Sequence, residues 1–260
     1  MILIGLVSLV FILVFLGLML IFAVIERERP GLKLRRIPAY EKIKRATEVV
    51  IEAGSRLHIS IGHGNLFGSQ GASALVGLSM TEKLTTSAST GDSPPIVTAG
   101  DPVLAILAQD TLKSSYKEIG LIDQYDRTSG QLLGLTPYSY AAGAMDVVGD
   151  KKSASNLLIG SFGVEVALLV DRSEQSGNIT LAGTDDISAQ AVLYGTASEP
   201  LIGEELFAGG AYVDAGIMHK ASVMAQDVVR WIIVLFIIIG ILFRFLGLDQ
   251  ILLDMIGSLM

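Results

Sequence analysis

The chain has no cysteine, and only three histidines and one tryptophan among its 260 residues. Disulfide staples and thiolate metal ligands are therefore excluded, and imidazoles at 58, 63 and 219 leave no metal-ligand spacing. The missing cysteine fits a reducing cytoplasmic compartment. Charge is scarce too. Charged residues make up 17% against 51% hydrophobic, which is too apolar for a fully soluble chain of this length. The net charge of −7 argues against a nucleic-acid partner, because neutralising phosphates needs a basic surface. No G-x-x-x-x-G-K-S/T loop exists, which excludes a P-loop NTPase, and no G-x-S-x-G elbow, which argues against an α/β-hydrolase. No two groups are spaced so that one can be named acid and the other base, so enzyme activity ranks last among the functions considered.

The apolar excess lies at the two ends. Residues 2–25 carry no charge, and at about 1.5 Å per residue they span a hydrocarbon layer of roughly 30 Å. A cleaved secretory signal would want a basic start, a shorter apolar core and a small-residue cleavage site, so 1–25 reads as a transmembrane helix. A second span covers 228–248, with Arg230 and Arg244 placed to snorkel to opposite interfaces and Trp231 at one of them. Beyond it, 249–260 has the spacing of an amphipathic tail on the membrane surface. Residues 26–39 form a basic juxtamembrane linker, and the basic cluster from Arg27 to Arg45 suits anionic headgroups. By the positive-inside rule it places the intervening segment in the cytoplasm and both termini outside.

Between the spans, helical patterns at about 40–53, 70–87, 102–118, 139–149, 163–174 and 186–196 alternate with short apolar runs. The runs are Leu57–Gly62, Pro95–Gly100, Gln131–Thr136, Asn156–Gly160, Asn178–Gly183 and Glu204–Ala208. Such alternation predicts a doubly wound α/β fold with a mainly parallel sheet and helices on both faces. The chain also repeats itself. Tyr40–Gly62 aligns without a gap on Tyr138–Gly160, and Val97–Asp101 matches Thr180–Thr184. A further match sets Ala141–Met145 beside Asp214–Met218. We read two β-α-β-α-β repeats, 40–137 and 138–227, related by a pseudo-twofold axis.

This layout, with the stretches "SIGHGN" and "VTAGDP", resembles an uncharacterised family of bacterial inner-membrane proteins described only as a domain of unknown function. The resemblance covers the whole chain. It implies a two-pass inner-membrane topology and supplies no activity.

Gly62, Gly64 and Gly68 follow a strand and precede a helix, the context of a phosphate loop. The expected crevice comprises Gly62, His63, Gly64, Asn65, Gly100, Asp101, Gly160 and Ser161, with Asp101 as the ribose acceptor. Two features oppose a dinucleotide. Asp101 lies 33 residues beyond Gly68, and the second copy carries Glu165 in its first helical turn, where a phosphate would sit. The glycines are read first as sharp strand-to-helix turns. His63 reads as a solvent-exposed turn residue, although Ser60 and His58 share a strand face that suggests a polar pocket. Asp185-Asp186 reads as a helix N-cap with a neighbour that complements the dipole. The leading expectation is a membrane-anchored scaffold without cofactor, partnered by the lipid bilayer and by copies of itself or other membrane-protein subunits. The alternative is a tethered sensory module that binds a nucleotide or anionic metabolite.

Overall fold

A computed structural model describes residues 2–29, 31, 33–68 and 70–245; the expected tail at 249–260 lies outside the described residues. The chain forms two compact units, one from the terminal helices and one from Arg35–Gly216.

The first unit contains α1 (Ile2–Glu28) and α9 (Ile217–Phe245), each long and apolar enough to cross a membrane. They pack against one another, and Glu26 of α1, nearly buried, takes Lys220 of α9 at 3.4 Å. Arg230 pairs with Asp227 at 3.3 Å. The second helix starts at Ile217, inside the stretch 138–227 assigned to the second repeat. Nothing between 217 and 245 breaks a helix, so the turns before the apolar run simply continue into it.

The Arg35–Gly216 unit is a six-stranded parallel sheet in the order β3-β2-β1-β4-β5-β6. Its strands are β1 (Arg56–Gly62), β2 (Ile96–Ala99), β3 (Gly130–Leu132), β4 (Ser153–Ser161), β5 (Ile179–Gly183) and β6 (Glu199–Leu201). The helices are α2 (Pro38–Glu52), α3 (Gly71–Ala88), α4 (Pro102–Glu118), α5 (Pro137–Val148), α6 (Val166–Gln175) and α7 (Ile187–Thr196), with the short α8 (Gly209–Tyr212) before the exit. The expected doubly wound α/β fold is thus present, and every strand pair is parallel. Local chemistry sets the starts. Pro38, Pro102 and Pro137 each occupy the first helical turn, where a missing N–H costs nothing. Asp101 caps α4, Asp186 caps α7, and Thr136 with Ser139 forms a capping box on α5.

One expected strand is corrected. Glu204–Ala208 lies in a 3₁₀ turn (Gly203–Ala208), and β6 is Glu199–Leu201 just upstream. The two glutamates favour the surface turn, while Leu206 and Ala208 stay buried.

Strand alternation divides the interior in two. Leu57, Ile59 and Ile61 of β1 point into a core with α2, α3 and α4. The other core joins α5, α6 and α7 around Leu158, Phe162 and Ala182. β1 and β4 lie side by side at the centre, and their ladder pairs His58 with Asn156 and Ile59 with Leu157. The matched helices agree in burial: Ile43, Ala46 and Val50 of α2 correspond to Ala141, Ala144 and Val148 of α5.

Candidate functional site

The strand order reverses between β1 and β4, and the crevice outside the carboxyl ends of those strands is where such sheets hold ligands. All eight expected residues belong to this edge, and most of them make contacts within the protein.

Gly62 has φ +76° and Gly160 φ +158°, and each faces the other strand's backbone. A Cβ on Gly62 would lie 2.8 Å from the carbonyl carbon of Ser161 and closer still to its oxygen. A Cβ on Gly160 would lie 2.6 Å from the carbonyl carbon of Ile61. Gly64 would meet Ser161 Oγ at 2.9 Å, and Gly100 would meet His63 Cβ at 2.6 Å. The glycines therefore serve close approach of protein to protein. Backbone bonds lace the same ends together: His63 N–H donates to Ser161 O at 3.0 Å, and Gly100 N–H to Gly62 O at 2.8 Å.

Three of the four polar residues are also engaged. Asp101 Oδ1 accepts from the N–H groups of Val103 and Leu104 at 2.9 and 3.0 Å, so the expected ribose acceptor is the N-cap of α4. Asn65 Oδ1 accepts from Phe67 N–H at 2.9 Å within its own exposed loop. His63 is not a solvent-exposed turn residue. Its side chain is mostly buried, with Nε2 2.7 Å from Glu165 Oε1.

Two carboxylates also reach this edge. Glu165, almost fully buried, accepts from Gly163 N–H at 2.8 Å and closes on His63 across the crevice. Asp185 accepts from Ser73 Oγ at 3.0 Å, at the N-terminus of α3. It does not cap α7, because Asp186 does so through Ala189 N–H at 2.8 Å. A helix N-terminus favours negative charge, and this one is already beside a carboxylate. Two buried oxygens in the crevice have no hydrogen-bond partner: Ser161 Oγ and Asp185 Oδ1. Among the described residues, no group of three or more His, Asp or Glu side chains could hold a metal ion.

The shared strand face of His58 and Ser60 does form a polar site, but a sealed one. His58 Nδ1 lies 2.9 Å from Asn156 Oδ1, and Nε2 lies 2.9 Å from Thr98 Oγ1. Asn156 Nδ2 donates to Val148 O and Ser173 Oγ, which orients its amide. The Asn156 oxygen therefore accepts from Nδ1–H, and Nε2 accepts from Thr98. Thr98 and Ser60 both meet the Tyr140 hydroxyl. All of these groups are fully buried. Burial pushes the His58 imidazole down to about 4, against an opposing pull from the Asn156 hydrogen bond. Burial likewise pushes the Tyr140 phenol up to about 12, although Ser60 and Thr98 hold it back. This network ties β1, β2, β4, α5 and α6 together and has no access for a substrate. Sequence pointed to His58 and Ser60, but not to Tyr140, Thr98 or Asn156.

The fold and its strand-end edge define a doubly wound α/β unit carried on a chain with two candidate membrane-spanning helices. The chain belongs to the family described as Domain of unknown function (DUF6754), whose family model matches residues 4–254. No curated protein and no solved structure matches it.

Proposed function

We propose that the protein is a membrane-anchored scaffold, a subunit of a larger membrane assembly that includes copies of itself or other membrane proteins. One observation carries this reading: at the topological switch point the glycines bring the ends of β1 and β4 together, and His63 and Glu165 pair across the same edge. An α/β unit whose strand ends are tied to one another in this way works through its surface. We place it at the inner membrane of a bacterium, crossing twice, with the α/β unit in the cytoplasm and both termini outside. The basic residues that follow the first span support that orientation. Some of them also serve the fold: Arg35 pairs with Glu204 and Glu205, Arg36 with Glu41, and Lys44 with Asp214.

The second reading, uptake of a nucleotide or anionic metabolite, rests on Ser161 Oγ, a buried hydroxyl without a partner. The neighbouring carboxylates oppose it by charge. Light scattering on the protein in mild detergent tests the scaffold reading, and an oligomer or a co-purifying protein is expected. A strictly monomeric, unaccompanied particle refutes it. A nucleotide and phosphorylated-metabolite thermal-shift panel should stay flat, whereas binding at 100 times Kd would stabilise the protein by about 2.7 kcal/mol.

A further inference from the structure

In a parallel sheet every strand-to-helix loop emerges on one edge, so whatever those loops carry is gathered on one surface. Here they carry large exposed apolar side chains. Phe67 is 85% exposed, Ile187 82% and Leu135 68%, and Ile106 and Tyr138 stand out beside them. Within Arg35–Gly216, all the exposed large apolar residues described except Val49, Ile122, Ile179 and Tyr194 lie at strand ends, in the loops that follow, or in the first two turns of the next helix. Scattered apolar residues need no explanation, but concentration on one edge does.

The same segments are one-sided in charge. Residues 63–70, 100–105, 133–140, 162–169, 184–190 and 202–208 contain no lysine or arginine. They do contain Asp101, Asp186, Glu204 and Glu205, besides Glu165 and Asp185, which turn inward to His63 and Ser73. An apolar surface set among carboxylates repels phosphates and anionic lipid headgroups, and attracts cationic side chains interleaved with apolar ones. The chain already shows the pairing at one end of this edge. The Arg35 guanidinium reaches Glu205 at 3.3 Å and Glu204 at 3.8 Å, beside the stacked rings of Tyr40 and Tyr212.

We propose that the carboxyl edge of the sheet is a docking surface for a basic, apolar polypeptide segment of a partner protein. This rests on the scaffold reading and names the surface that performs it. The loops along this edge present apolar contact area, with Asp101, Asp186, Glu204 and Glu205 to orient the guest.

The test uses the full chain in nanodiscs of neutral phosphatidylcholine and a labelled twelve-residue peptide of alternating arginine and leucine. Matched peptides replace arginine by glutamate or leucine by serine. Fluorescence anisotropy should show binding of the arginine–leucine peptide at least tenfold tighter than either control, weakening as salt rises. Two double variants locate the contact. Phe67→Ser with Ile187→Ser removes exposed apolar area, and Asp101→Asn with Asp186→Asn removes charge while keeping a competent N-cap. Each should weaken the peptide at least tenfold with an unchanged melting temperature. Equal binding of the glutamate peptide, or binding unaffected by both variants, overturns the proposal. So does hydrogen-exchange protection of 63–70 and 184–190 that grows with phosphatidylglycerol content and without peptide, since that would make the occupant a lipid surface. If light scattering finds an assembly but the peptide fails, this edge is wrong and the scaffold reading stands. A monomer that also ignores the peptide removes both.

Discussion

Replacing Gly62 by alanine puts the close-approach argument at direct risk. At φ +76° an L residue pays about 1–2 kcal/mol for its Cβ. That Cβ would also press on the Ser161 carbonyl, whose carbon would be 2.8 Å away, and backbone in a central strand cannot swing aside. Overpacking of this kind adds about 1–3 kcal/mol. The sum is about 2–5 kcal/mol, a large part of a typical domain stability of about 5–15 kcal/mol. For a unit of this size about 2–4 °C is lost per kcal/mol, so the melting temperature should fall by about 10 °C. Gly160→Ala should behave alike, since its Cβ faces the Ile61 carbonyl. Gly68→Ala is the internal control: its Cβ would meet nothing nearer than Asn65 O at 3.5 Å. Far-UV circular dichroism melts of the full chain in mild detergent read all three. If Gly62→Ala melts with Gly68→Ala, the close approach is not what the glycine serves, and the reasoning fails.

Three further outcomes are expected. His58 titrates near 6.5 when unfolded and near 4 when folded, so the unfolded chain takes up the proton first as pH falls. Its contribution is fully present above pH 6.5 and is lost by about pH 4, amounting to about 3 kcal/mol; chemical denaturation of His58→Asn across that window should show a flatter profile than the parent. Glu165→Ala leaves His63 and the Gly163 N–H without their acceptor and should cost about 1–3 kcal/mol in the same melts, and Glu165→Gln less; no loss in either would mean the pair does not hold the crevice. A topology reporter fused after position 260 should read as extracytoplasmic, and neutralising Arg27, Arg29, Lys33, Arg35 and Arg36 together should mix the orientations; a cytoplasmic signal from the parent fusion refutes the orientation.

Elements governed by neighbours in the chain were legible from the residues alone. Helix periodicity and apolar runs placed α2 to α7 and five of the six strands, because those signals act over a few residues. The sixth failed for the same reason. Glu204–Ala208 is apolar enough to pass as a strand, and only the pairing of Glu199–Leu201 with β5 shows which segment joined the sheet. The apolar ends were equally plain, since length and lack of charge suffice to nominate a membrane span.

The candidate site was located by sequence but not understood from it. That Gly62, Gly100 and Gly160 would gather on one edge followed from βα alternation. Their purpose did not, because it depends on β1 and β4 being neighbours. Glu165 meets His63 across 102 positions of chain, and Asp185 meets Ser73 across 112. Read locally, one was a first-turn acid where a phosphate would sit and the other a helix-opening acid. Strand order gave each its partner, since side chains far apart in sequence meet only once the sheet has chosen its neighbours. The same choice buried His58 against Asn156, and made separate loops with no lysine or arginine into one acidic, apolar edge.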